Sequence, residues 1–167
     1  MVTRHMLKEH LLAEFNSCYN HNGWFVAVRN VIDGINADEA LWKPDTEINS
    51  IWQTLEHLTF YNHAYIERFK GNDYTYPTDN NDETFSAGMT DADWQAAISK
   101  FDATMREFHD LIKAADESKF SQPVSAANNA SWAQLISKIN THNAYHGGQI
   151  LLLRKLQGKW DPKKGVS

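Results

Sequence analysis

Apolar residues recur along this chain every three or four positions, and nowhere do they alternate over a sustained stretch. The clearest run is 91–114, where Trp94, Ile98, Phe101, Met105, Phe108 and Ile112 make the seam of one packed helix. Thr90 and Asp93 supply a reciprocal N-terminal cap for it. A second helix is predicted over 132–157, with the stripe Leu135, Ile139, His142, His146, Gln149 or Ile150, and Leu153. It is capped by Ser131 and Gln134 and closed by Gly158. A third covers 51–69, starting at Ser50 with Gln53 and stopping at Gly71; its apolar positions include Ile51, Trp52, Leu55, Leu58, Ile66 and Phe69. The earliest segment, 4–34, is interrupted at Asn20-His21-Asn22-Gly23 and reads as one kinked helix or two consecutive ones.

The connections add direction. Residues 71–89 form a long polar link, whereas an antiparallel neighbour needs only about 2–8 residues. A helix of about 20 residues is roughly 30 Å long, a length that this link can cover. The second and third helices are therefore expected to run parallel, joined by a crossover. The expectation is an all-α four-helix bundle in a single domain, 1–167, with no sheet beyond a short hairpin in 71–89. The stretch 115–130 reads as a loop.

Composition narrows the function classes. With 42% hydrophobic and 12% aromatic residues in 167 positions, the chain can bury a core without disulfides, and Cys18 has no partner cysteine. The net charge of −5 and the scattered Lys and Arg give no footprint for nucleic acid. The longest apolar run, Trp24 to Val28, falls far short of the roughly 20 residues of a membrane span. Residues 1–5 lead into a helical pattern with no signal-peptide hydrophobic region, so the expected location is cytoplasmic.

The candidate chemistry lies in the histidines. His142 and His146 are one helical turn apart and share a face that can meet one ion. Eight histidines in this length give about 0.4 such pairs by chance, so spacing alone is weak. Position strengthens it, because both fall on the apolar seam, where an unsatisfied polar group costs about 1–3 kcal/mol. The bland alternative is two core histidines held by hydrogen bonds. A third ligand has to come from another helix, and 51–69 offers His57, His63 and Glu56. His57 and His63 are about 120° apart around that helix, and periodicity only modestly favours His57.

The segment Ser50-Ile51-Trp52-Gln53-Thr54-Leu55-Glu56-His57-Leu58, taken with His142-Asn143-Ala144-Tyr145-His146-Gly147-Gly148-Gln149-Ile150, resembles the DinB-like superfamily of metal-binding bundle proteins. The link Ala40-Leu41-Trp42-Lys43-Pro44 is similar as well. The resemblance implies an up-down-down-up bundle, often dimeric, with a three-histidine site at His57, His142 and His146. It also matches Gln149 to a recurring glutamine, read as a cofactor-binding group that orients a ligand; a capping or interhelical hydrogen bond is the alternative.

Three neutral imidazoles would leave a divalent ion with an open position, the pattern of catalytic rather than structural zinc sites. Zinc or nickel suits such ligands best; iron, manganese and copper remain open. Two activities follow. One is a metal-dependent thiol transferase, using a low-molecular-weight thiol of the bacillithiol, mycothiol or glutathione type and an electrophile, as the resemblance implies. The other is a hydrolase using metal-bound hydroxide. A non-catalytic metal-binding stress protein is the third reading. Glu56 adjoins His57 in sequence but points about 100° away, so no general base stands out. His10 and Glu14 read as a solvated ion pair, His5, His21 and His109 as surface residues, and Cys18 as a small buried apolar group. The tryptophans read mainly as core, with Trp52 or Tyr61 as pocket candidates. Trp24, Phe25 and Trp160 are candidates for a homodimer contact.

Overall fold

The computed structural model describes residues 6–165, which leaves His5 outside the described residues. The chain is mostly helical. Its α-helices are α1 (Met6–Tyr19), α2 (Val28–Val31), α3 (Ala37–Leu41), α4 (Ile51–Lys70), α5 (Asp91–Ala114) and α6 (Trp132–Leu156), and β1 (Pro123–Ser125) pairs antiparallel with β2 (Asn128–Ser131). Short 3-10 turns lie at Asn81–Thr84, Glu117–Ser121 and Pro162–Lys164.

Helix starts follow side-chain chemistry. Reciprocal caps form at Ser50 with Gln53, Thr90 with Asp93, and Ser131 with Gln134. Each pair satisfies N–H groups that have no intrahelical partner. Asn36 and Glu39 make a fourth, at α3. Gly71 (φ 88°) ends α4 in the left-handed region, where a side chain would be strained.

The earliest segment is two pieces rather than one kinked helix. At its break, the Asn22 side chain accepts from the Ala27 N–H (3.0 Å) and from Asn30 Nδ2 (2.8 Å), offering the chain local partners in place of a helical ladder. Only one turn, α2, resumes after it.

Four long helices enclose the core, and their contacts give the relative directions. Trp52 meets Trp94 near the start of α4 and α5, and Phe69 meets Phe108 toward their ends, so these helices run parallel. Phe15 on Phe108 and Tyr19 on Phe101 make α1 antiparallel to α5. His57 beside His142 and Phe69 beside Trp132 make α4 antiparallel to α6.

Three expectations are corrected. The hairpin lies at 123–131, not in 71–89. The 71–89 link instead carries Tyr74, Tyr76 and Phe85, whose rings pack on aromatic side chains of α4, so it lies along the helix rather than folding on itself. The buried face of α6 is also wider than the apolar stripe: Ile136, Asn140, Asn143 and Gly147 are buried, while Gln149 is exposed. Asn143 is admitted there because it is paired. Asn62 and Asn143 exchange amide hydrogen bonds (2.8 and 3.2 Å) between α4 and α6. Finally, only Trp52, Trp94 and Trp132 are core. Trp24 is 97% exposed, Trp42 is at the surface and Trp160 is half-buried.

Candidate metal centre

The antiparallel register of α4 and α6 brings His57 opposite His142 and His146. One ring nitrogen from each lies within 4.8 Å of the other two. Among the described residues no other His, Cys, Asp or Glu joins this or forms a second such group. The Nε2 atoms of His57 and His142 are 3.1 Å apart. Nitrogens bound to zinc at about 2.0–2.1 Å in a tetrahedron sit about 3.3 Å from one another; the His57–His142 pair is already about that close, and any wider separation in the cluster would close by at most about 1.5 Å to hold a single ion.

Neighbouring side chains set which nitrogen is free. His57 Nδ1 lies 2.6 Å from Thr84 Oγ1, and that hydroxyl donates its own hydrogen to the Asn81 carbonyl at 2.6 Å. Thr84 therefore accepts from His57 Nδ1–H, and the lone pair of His57 Nε2 is left facing the cluster. His146 Nδ1 lies 2.7 Å from Gln149 Oε1 and donates to it. Such outer hydrogen bonds orient ligating imidazoles and raise their basicity. Phe85 stacks on the His57 ring at 4.0 Å and 10°, closing its remaining face.

Burial keeps all three rings neutral. It lowers His57 to about 3, reinforced by His146 and His142, and lowers His142 to about 4, reinforced by His146. His146 is lowered by burial too, with the Gln149 hydrogen bond opposing. The three rings are thus neutral at neutral pH without a metal; the His57 Nε2–His142 Nε2 contact is held by a hydrogen on His142 Nε2, so an ion entering there would shift that tautomer but release no net proton. This also fixes a pH dependence. An unfolded histidine titrates near 6.5, so as pH falls the unfolded chain takes up these protons first. The metal-free protein should lose stability from about pH 6.5 down through pH 4 and toward pH 3. Denaturant midpoints measured across that range should fall, and H57A should flatten the decline; an unchanged slope in H57A contradicts the assignment.

A cavity of about 500 Å³ opens on the cluster, lined on α4 by His57, Tyr61 and Tyr65 and on α6 by Leu135, Lys138, Ile139, His142 and His146. Asn81 and Phe85 from the link close a third side. Tyr61 lines it, whereas Trp52 packs elsewhere, against Trp94. Glu56 faces α5 and pairs with Lys100 (3.2 Å). His63 is exposed, with its ring 5.8 Å from that of Tyr74 and away from the cluster.

The remaining candidates lie apart. His10 pairs with Glu14 at 3.2 Å on an exposed face, and His21 is exposed beside Asn20. His109 is half-buried against Phe15, more enclosed than a surface residue. The Cys18 thiol donates to the Asn140 carbonyl (3.2 Å), and burial pushes it up to about 12, which removes it as a nucleophile at neutral pH.

Thr84, Phe85 and Asn81 were not legible in the sequence. They sit in a polar link without periodicity, and only the chain's return path places them on His57. Thr84→Val should weaken metal binding about tenfold to a hundredfold, the usual cost of losing an outer-shell partner, while Thr84→Ser retains it. Equal zinc affinities for T84V and wild type in competition with a chelator would contradict that role.

No described helix is long and apolar enough to cross a membrane. No curated protein matches the chain. The sequence profile of the DinB superfamily matches residues 26–150, a span that carries His57, His142, His146, Thr84 and Gln149. Three clustered histidines on that span fit the metal binding that the resemblance implied, and the chain belongs to the DinB superfamily.

Proposed function

We propose that this protein holds one divalent ion, zinc or nickel, between His57, His142 and His146, and acts as a metal-dependent thiol transferase. The long helices are read as an up-down-down-up four-helix bundle, a reading supported by the parallel α4–α5 pair and the antiparallel α4–α6 and α1–α5 pairs. The substrates are a low-molecular-weight thiol and an electrophile.

The observation that carries the reading is a roomy cavity opening on three neutral imidazoles, with no carboxylate in its lining. Three protein ligands with space beside them are the catalytic pattern; structural sites close with four. A divalent ion held there would lower the pKa of a thiol or a water presented to it. A thiol is already acidic enough to reach its reactive form with that help alone, whereas hydrolysis also calls for a base to handle the attacking water's proton. Glu56, the nearest carboxylate in sequence, is committed to Lys100 on another face. The absence of a carboxylate base in the lining, among the described residues, favours thiol transfer over hydrolysis. His57, His142 and His146 would hold the ion, Thr84 and Gln149 orient two of the rings, and Phe85 with Tyr61 keeps water from their faces.

The test is steady-state turnover of zinc- and nickel-loaded protein with bacillithiol, mycothiol or glutathione and a chlorodinitrobenzene-type electrophile. The expected result is a rate that depends on the metal and is lost in His142→Ala. Turnover absent with every thiol while metal stays bound would contradict the transferase reading and leave a storage or sensing protein.

A further inference from the structure

The cavity has a charged end, and the reaction proposed above makes no use of it. Lys138 lies one helical turn before His142 and two before His146, so the three side chains follow one face of α6 with about 6 Å of rise per step. Lys138 is the only formally charged side chain in the cavity lining, and among the described residues it makes no hydrogen bond or ion pair. Two nearby acidic groups are engaged elsewhere: Glu56 pairs with Lys100, and Glu83 accepts from Thr78 and Asn80.

A second donor faces the same space. Tyr61 donates its hydroxyl hydrogen to Asn81 Oδ1 (3.0 Å), and the Asn81 backbone carbonyl accepts from Thr84. The Asn81 amide nitrogen is therefore left with two N–H groups and no partner among the described residues. Leu135 and Ile139 supply apolar wall on α6, and Phe85 lies against the His57 ring.

We infer that the cavity selects a ligand carrying a carboxylate, held by Lys138 and the Asn81 amide, across a short apolar segment from the group that meets the histidines. One ammonium and one amide match a single negative charge better than a phosphate dianion. The separation of about one helical turn corresponds to a spacer of a few methylenes. The inference rests on the reading that a thiol docks at the histidines, although the carboxylate anchor is separable from it.

Two matched pairs test the anchor. Zinc-loaded protein is titrated calorimetrically with 4-mercaptobutanoate and with its neutral amide, which differ only in charge. Zinc-free protein is titrated with pentanoate and pentanamide by NMR, which removes the metal and the thiol together. Wild type should prefer each acid over its amide about threefold to tenfold, the range of a partly exposed charge-assisted hydrogen bond. Lys138→Gln should erase the preference without weakening the amides, and Lys138→Arg should keep it. Equal affinity for acid and amide in wild type, or a preference that persists in K138Q, overturns the anchor. If neither thiol binds but pentanoate retains its Lys138-dependent preference, the thiol reading fails and the anchor stands.

Discussion

His142→Ala, His146→Ala and His57→Ala should each lose stoichiometric metal, with affinity falling roughly a hundredfold or more, while His63→Ala keeps it. The geometry separates the two outcomes. Two of the clustered nitrogens come from adjacent turns of α6 and the third from α4, so removal of any one leaves a pair of imidazoles without the cluster's third side. His63 lies on the exposed face of α4 against the Tyr74 ring, away from the cluster. The fold should survive, because the caps at Ser50, Thr90 and Ser131 and the reciprocal Asn62–Asn143 pair do not involve the ion. Metal content after zinc reconstitution and circular dichroism of the same samples check both halves. Retention of metal by H57A together with its loss in H63A would assign the third ligand wrongly.

The largest effect on stability is expected at Trp94→Ala. Trp94 is fully buried, its ring lies 5.3 Å from that of Trp52, and its indole N–H donates to the Ile35 carbonyl at 2.9 Å. It thus joins α5 to the start of α4 and to the link before α3. Truncation leaves a cavity and an unpartnered buried carbonyl, for a cost of about 3–5 kcal/mol. In a chain of this size each kcal/mol moves the melting point by about 2–4 °C, so Tm should fall by about 6–20 °C. The conservative Trp94→Phe restores most of the volume but not the donor and should recover more than half of the loss. A fall of under about 2 °C in Trp94→Ala would mean that the junction is held by other contacts.

Much of the fold was legible because it rests on local chemistry. The spacing of Trp94 through Ile112 and the paired caps at Ser50, Thr90 and Ser131 specify helices without reference to anything distant. The long 71–89 link likewise signalled the parallel α4–α5 pair. What failed depended on tertiary partners. Asn140 and Asn143 lie off the apolar stripe of α6, yet both are buried, because one bonds to Leu11 and Cys18 and the other to Asn62. The hairpin was placed in the wrong link because polar, turn-forming residues occur in both, and the aromatic packing that decides between them is long-range. In the site, the His142–His146 spacing was readable. The choice between His57 and His63 needed the family resemblance, since both sit on one helix and periodicity separates them poorly. Thr84 and Phe85 carried no signal at all, for a hydroxyl and a ring in an irregular link acquire meaning only from the histidine that they meet.

The most direct measurement is X-ray absorption at the zinc edge on protein reconstituted with zinc and freed of excess metal by gel filtration. The expected result is one zinc per chain, bound by three imidazole nitrogens at about 2.0–2.1 Å with oxygen completing the coordination. A protein that emerges free of metal, a sphere with fewer than three imidazoles, or a sulfur neighbour from Cys18 would contradict it.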